Sequence, residues 1–198
     1  MDSDTSRIQS PNPDPNLAPL APNAPINPEY AAIRHLLPAD QMFFDADQKI
    51  KDGKTTEALE ELVSLIERFP DYGRAYNHIG FIYETKYRDP KRAAQYYQKA
   101  LQYTPEYPAT YLNYSLVLST MEKFSELEAL LNQGLTVEGV TKDRLYNEFG
   151  IMRELQQRYE EAIAFFKKAI KACLSEQDIE LYKKNIQRCR TKEELEYF

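Results

Sequence analysis

Small residues recur along this chain at an almost constant interval. Ala46, Gly80, Ser115 and Gly150 are separated by 34, 35 and 35 residues. A second series, Ala58, Ala93, Leu127 and Ala162, is spaced by 35, 34 and 35. Two independent markers with one period mean that the chain repeats a unit long enough for two helices and a turn. Within the second unit Tyr76, Ile79, Gly80 and Tyr83 stand at offsets 0, 3, 4 and 7, which is one face of a helix. A unit of this size cannot bury its apolar face alone, so it must stack on its neighbours. The fold expected is all-α, about nine helices over residues 39–190 with no β-sheet.

The residues at the repeating positions resemble the tetratricopeptide repeat (TPR) family. That unit carries aromatic, apolar-plus-small and tyrosine positions on one helix, then alanine, aromatic, alanine and a closing proline. The second repeat matches best, with Tyr76, Ile79-Gly80, Tyr83, Ala93, Tyr97, Ala100 and Pro105. The fourth keeps Tyr146, Phe149-Gly150, Ala162, Phe166 and Ala169 but has Arg153 at the tyrosine position and Leu174 at the proline position. The third is looser, with Tyr111, Tyr114-Ser115, Leu118, Leu127, Leu131 and Gly134, and Gly139 in place of proline. The first keeps Ala58, Leu62, Leu65 and Pro70, and its first helix, Asp40 to about Lys51, is atypical. The resemblance implies a right-handed superhelical solenoid of about four repeats over residues 39–175, followed by a C-terminal cap over 176–198. In such a unit Gly80 would lie against Ala93 and Ala100, with Tyr97 or Phe166 filling the space between repeats.

Both ends depart from the repeat. Eight of the 12 prolines fall within residues 1–38, interleaved with asparagine and without glycine. Proline fixes φ and pushes its predecessor toward extended geometry, so residues 9–28 read as an extended, partly polyproline II arm. Ala31 to Leu37 carries enough apolar side chains for one or two helical turns, and the domain boundary falls between about 28 and 39. At the other end Ile179, Tyr182, Ile186 and Cys189 form one stripe of a capping helix. Thr191 to Glu194 reads as a capping box that opens a last short helix through Phe198.

Composition removes several kinds of chemistry. A net charge of −6 and a pI near 5.1 disfavour tracking a phosphate backbone, so nucleic acid is not an expected partner. No window reaches the roughly 18–20 apolar residues of a membrane span, so no direct membrane insertion is expected. Without a secretory signal the chain is placed in the cytoplasm, or in the periplasm or on a lipid anchor if an export signal precedes Met1. Two cysteines and two histidines supply neither a disulfide framework nor a four-ligand zinc site. Cys173 and Cys189 read as structural and unbridged. No glycine-rich phosphate loop, nucleophile elbow, zinc-binding His-Glu helix or EF-hand loop is present. No catalytic, cofactor-binding or metal-binding residues are assigned, and an enzyme is not expected. His78 reads as a hydrogen-bonded structural histidine.

The first helices of such repeats line the concave face. Arg74, Asn77, Phe81 and Glu84 recur 70 residues later as Arg144, Asn147, Ile151 and Glu154, within about 80° on a helix. Between them the third repeat places Leu112, Asn113 and Leu116. The partner-binding stripe read from the sequence is thus Arg74, Asn77, Phe81, Leu112, Asn113, Leu116, Arg144, Asn147 and Ile151. Asparagine amides there would hold a peptide backbone, arginines would take carboxylates, and the apolar centre would supply affinity. Tyr87, Tyr96, Tyr103 and Tyr107 do not all fit core positions and suggest an exposed aromatic patch suited to proline-rich or peptide ligands. The function expected is a non-catalytic scaffold or adaptor for a protein or peptide partner. Alternatives are a chaperone-like client holder, or an accessory subunit of a separate enzyme or of an export or envelope complex.

Overall fold

The computed structural model describes residues 28–195, and among these there are nine α-helices and no strands. They are α1 (Pro28–Lys51), α2 (Thr55–Arg68), α3 (Gly73–Thr85), α4 (Pro90–Tyr103), α5 (Pro108–Thr120), α6 (Phe124–Gly134), α7 (Lys142–Leu155), α8 (Tyr159–Ala172) and α9 (Glu176–Leu195). Contacts divide the chain after Leu37. Within the unit from Pro38 onward, α3–α4, α5–α6 and α7–α8 pack as helix pairs, each on the next, α1 shares one buried cluster with α2 and α3, and α9 closes the series against α8. This is the all-α helical-repeat fold that the period requires.

Local chemistry starts and stops these helices. Asp89 caps α4, its carboxylate accepting from the Arg92 backbone N–H at 3.0 Å, with Pro90 in the first turn where no N–H is needed. Pro108 opens α5 in the same way. The prolines that end the second helices also anchor the helix of the next repeat. Tyr76 donates its hydroxyl to the Pro70 carbonyl at 2.9 Å, and Tyr111 donates to the Pro105 carbonyl at 2.7 Å. Each bond ties the start of one repeat to the end of the one before. Every helix-to-helix turn inside a repeat places one residue in the left-handed region: Gly53, Arg88, Glu122 and Gln157, with φ of 77°, 54°, 55° and 61°. Only the first is the glycine that this conformation favours.

Inside a repeat the small residue makes room for a ring. A Cβ added to Gly80 would meet Tyr97 Cε1 at 2.8 Å, and one added to Gly150 would meet Phe166 Cε1 at 2.5 Å. Tyr97 and Phe166 are fully buried. The ring therefore lies on the glycine of its own repeat, and not only in the space between repeats where the sequence reading set it. Tyr97 also reaches forward to Tyr114 of the next repeat, 5.8 Å between centroids, and its hydroxyl donates to Glu84 Oε2 at 2.7 Å. Arg153, at the fourth repeat's tyrosine position, is buried and pairs with Glu128 of α6 and with Glu161 of α8 at 3.4 Å.

Both ends differ from the sequence reading. A single helix runs from Pro28 to Lys51 with Pro38 inside it, in place of a short segment and a separate helix from Asp40. Proline removes one N–H and crowds one carbonyl, a local cost that leaves the other helical bonds available. Residues 9–27 of the expected arm lie outside the described residues. At the other end α9 runs unbroken to Leu195, and Thr191 is no cap: its hydroxyl donates to the Gln187 carbonyl in mid-helix at 3.1 Å. Residues 196–198 lie outside the described residues. Cys173 and Cys189 are both buried and free.

Replacing Gly150 by alanine sets two effects against each other. Alanine gains about 1 kcal/mol of helix propensity over glycine, whereas overpacking a filled core costs about 1–3 kcal/mol. With a buried ring only 2.5 Å from the new methyl, overpacking dominates. Gly150→Ala should therefore lower the melting temperature by a few degrees, read by circular dichroism. An increase would show that Phe166 moves aside freely.

Candidate protein-interaction site

The first helices α1, α3, α5 and α7 lie side by side, with α9 completing the row, and polar side chains join neighbours at every junction but the one between α5 and α7. At the first junction the Phe43 ring meets His78 edge-on at 4.6 Å, and His78 Nε2 lies 3.4 Å from Asp47 Oδ1. The other ring nitrogen faces the Arg74 carbonyl at 3.2 Å. Burial pushes the His78 imidazole below its ordinary pKa, with Arg74's carbonyl and Asp47 opposing that shift. It is the structural histidine that the sequence suggests. At the α3–α5 junction Asn113 Nδ2 donates to Asn77 Oδ1 at 3.2 Å. At the α7–α9 junction Asn185 Nδ2 donates to Asn147 Oδ1 at 2.9 Å. There too Arg188 grips Glu154 with two bonds of 2.7 and 2.6 Å, Lys192 adds a third at 2.8 Å, and Tyr182 donates to Asp143 Oδ2 at 3.0 Å. Burial opposes ionisation of Glu154, but the Arg188 and Lys192 bonds outweigh it and hold its carboxyl down at about 2.

The α5–α7 junction is the exception. A step of one repeat carries Asn77 to Leu112 and Asn113 to Glu148, so the register sets a leucine position opposite a carboxyl position. Glu148 is 5% exposed, and its one hydrogen bond comes from Asn147 Nδ2 of its own helix at 3.3 Å. Burial pushes its carboxyl up to about 7.

These junctions redistribute the nine residues of the sequence-derived stripe. Phe81 and Leu116 remain open to solvent, 38% and 42% exposed, and lie one repeat apart on neighbouring first helices. Arg144 is exposed, Arg74 is half-exposed with its guanidinium 4.4 Å from the Phe43 ring, and Leu112 and Asn113 are half-buried. The remaining three are engaged within the protein. Asn77 is buried, the Asn147 carbonyl is held by Asn185, and Ile151 packs against the cluster of Ala162, Phe166, Ile186 and Cys189. The Glu84 and Glu154 walls turn inward as well, toward Tyr97 and toward Arg188. The asparagines thus join repeats instead of forming a free ladder, so replacing Asn77 and Asn147 would disturb packing. Their complements Asn113 and Asn185 stand 36 and 38 residues downstream, a signal present in the sequence.

One cluster escaped the sequence reading. Asp143, Cys173 and Asp178 bring ligand-type atoms within 4.8 Å of one another. The Asp143 carboxylate already accepts from Tyr182, which makes the cluster a tie between α7 and the start of α9. No helix among the described residues is long and apolar enough to cross a membrane.

The repeat fold and its row of first helices define a helical-repeat protein, and comparison agrees. The tetratricopeptide repeat family model matches residues 73–107 and 143–175, the two repeats in which the sequence pattern is fullest. The chain carries tetratricopeptide repeats over these residues. It is similar in structure to PilF of Pseudomonas aeruginosa, with 18% identity over 79% of this chain and 69% of that one and a TM-score of 0.69. MamA from Desulfovibrio magneticus RS-1 is similar at 15% identity over 79% and 85%, with a TM-score of 0.67. YrrB, a TPR protein with an unusual peptide-binding site, is similar at 17% identity over 86% of each chain, with a TM-score of 0.64. No curated protein matches the chain.

Glu148 makes stability depend on pH. Its carboxyl binds a proton more tightly folded, at about 7, than at its ordinary value of 4.5, so folding takes up a proton between these values. Its contribution therefore weakens as pH rises through that window, and above it a buried carboxylate is left with one weak bond. Glu148→Gln should raise the melting temperature by several degrees at pH 8 and change it little at pH 4.5, measured by calorimetry at both. Equal changes at the two pH values would show that Glu148 titrates as an ordinary glutamate.

Proposed function

We propose that this chain is a non-catalytic interaction scaffold that holds a peptide, or an extended or helical segment of a partner protein, along its first helices. The observation that carries this reading is the exposure of Phe81 and Leu116 on neighbouring helices, with arginines 74 and 144 near the starts of α3 and α7. Large apolar side chains held open on a rigid row are positioned to desolvate a ligand side chain, and binding energy concentrates at such centres. Arg74 and Arg144, in the first turns of α3 and α7, favour carboxylates toward that end of the row. The ligand class that fits is a segment with one apolar anchor flanked by acidic or amide residues. Asn113 and Asn147 keep partial exposure whereas Asn77 is buried, so backbone recognition falls to the amide atoms of those two that their neighbours leave unused. The tetratricopeptide repeat supports a binding role, and fold alone supports nothing narrower.

A displayed peptide library selected on the full chain tests this. The selected peptides should carry an apolar anchor beside Asp, Glu, Asn or Gln. The double variant Phe81→Asp, Leu116→Asp should bind them at least tenfold more weakly with an unchanged melting temperature, because both side chains already face solvent. Selected peptides that bind this variant equally well would place the site elsewhere.

A further inference from the structure

Five tyrosines gather where α3 meets α4, and the two on α3, Tyr76 and Tyr83, stand about 100–180° around that helix from Arg74, Asn77 and Phe81 at 100° per residue. Tyr83 and Tyr96 stack nearly parallel, 5.3 Å between centroids at 6°, and Tyr76 stacks on Tyr103 at 5.3 Å. Tyr76 links to Tyr96 at 6.5 Å and Tyr83 to Tyr87 at 5.4 Å, so the rings form one row. Tyr87 and Tyr103, at the ends of the row, are 45% and 40% exposed, more than core packing requires. Cations lie over these rings: Arg92 over Tyr83 at 5.6 Å, Lys99 over Tyr76 at 5.6 Å and Lys86 over Tyr87 at 5.8 Å. Beside the row opens a cavity of about 540 Å³, lined by Tyr83, Tyr96, Arg92 and Lys99 and by glutamines that include Gln95 and Gln102. No carboxylate lines it, although the chain as a whole carries a charge of −6. Asp89 touches Arg92 at 3.3 Å yet leaves that side chain 63% exposed.

We propose that this α3–α4 face is a second binding site, separate from the groove, which takes an extended proline-rich peptide carrying acidic residues. Its chemistry repeats every seven residues: Arg92 and Lys99, Gln95 and Gln102, and Tyr96 and Tyr103 along α4, with Tyr76 and Tyr83 along α3. Seven residues of α-helix rise about 10.5 Å. Three residues of polyproline II rise about 9.3 Å, so a ligand in that form presents the same chemistry at nearly the same interval. Prolines fit between tyrosine edges, as in aromatic-lined proline-recognition grooves. A polyproline II backbone has no internal hydrogen bonds, which leaves its carbonyls free for the Gln95 and Gln102 amides. An acidic residue at every third position then meets Arg92 and Lys99 in turn.

The probe is a fluorescein-labelled peptide of four Pro-Pro-Asp triplets, titrated with the full chain and read by fluorescence anisotropy. Saturable binding in the micromolar range is expected, and a matched peptide with lysine in place of aspartate should not bind. The double variant Arg92→Glu, Lys99→Glu should weaken binding at least tenfold. Tyr103→Ala, which removes one exposed ring, should weaken it severalfold and serves should the charge-reversal variant misfold. The groove variant Phe81→Asp, Leu116→Asp should bind the probe as the unaltered chain does, so this proposal and the groove reading fail separately. The proposal is overturned by absence of binding, by equal binding of the lysine peptide, by unchanged affinity in folded Arg92→Glu, Lys99→Glu and Tyr103→Ala variants, or by loss of binding in the groove variant.

Discussion

The contact of a large side chain with a residue that has almost none governs the spacing of this protein. Tyr97 lies on Gly80 and Phe166 on Gly150, each ring closer than a Cβ would allow. Where the small residue is Ala46 or Ser115, the corresponding second-helix position holds Leu62 or Leu131, all four fully buried. The two positions complement each other in volume: glycine with an aromatic, alanine or serine with leucine. Close packing tolerates few voids and little overlap, so the pair sets how near the two helices of a repeat approach. Burying each large side chain contributes about 1.5–3 kcal/mol, and the repeats stack because no single pair completes its own core.

Between repeats the first helices are joined by small polar contacts, and these decide what the groove offers. Asn77 with Asn113 and Asn147 with Asn185 each satisfy groups that would cost about 1–3 kcal/mol if buried without a partner. A first helix in a solenoid has a neighbour on either side, so only a narrow strip of its surface faces a ligand. Phe81, Leu116 and Arg144 occupy that strip, whereas Asn77 and Ile151 do not. Glu148 shows the converse: at the junction where leucine takes the asparagine position, the next residue in register has only its own helix to bond.

The helix pairs, their order and their core faces were legible because burial imposes a period that side chains must obey. The turns were less so. Arg88, Glu122 and Gln157 adopt the left-handed conformation without being glycine, and no residue type marks it. Pro38 reads as a break yet stands within α1, and Thr191 reads as a cap yet stands within α9. In both cases a local preference worth a few kcal/mol or less gives way to helical continuity. The candidate site was legible in part: Phe81, Leu116 and Arg144 stay open, but Arg74 stacks on Phe43 and Tyr107, and Asn77, Asn147 and Ile151 are engaged within the protein.

The amino-acid sequence by itself determined that the chain builds helix pairs of 34–35 residues, that small residues recur at fixed positions on both helices of a pair, and that the tyrosines crowd into the second and third repeats. Those features follow from periodicity and side-chain volume, which any one repeat displays. Only the tertiary structure decided which asparagines meet, that Glu154 answers to Arg188 and Lys192 of α9, and that five tyrosines and three cations share the α3–α4 face. These depend on the register between helices far apart in sequence, set by the sum of many packing contacts and written in no single residue.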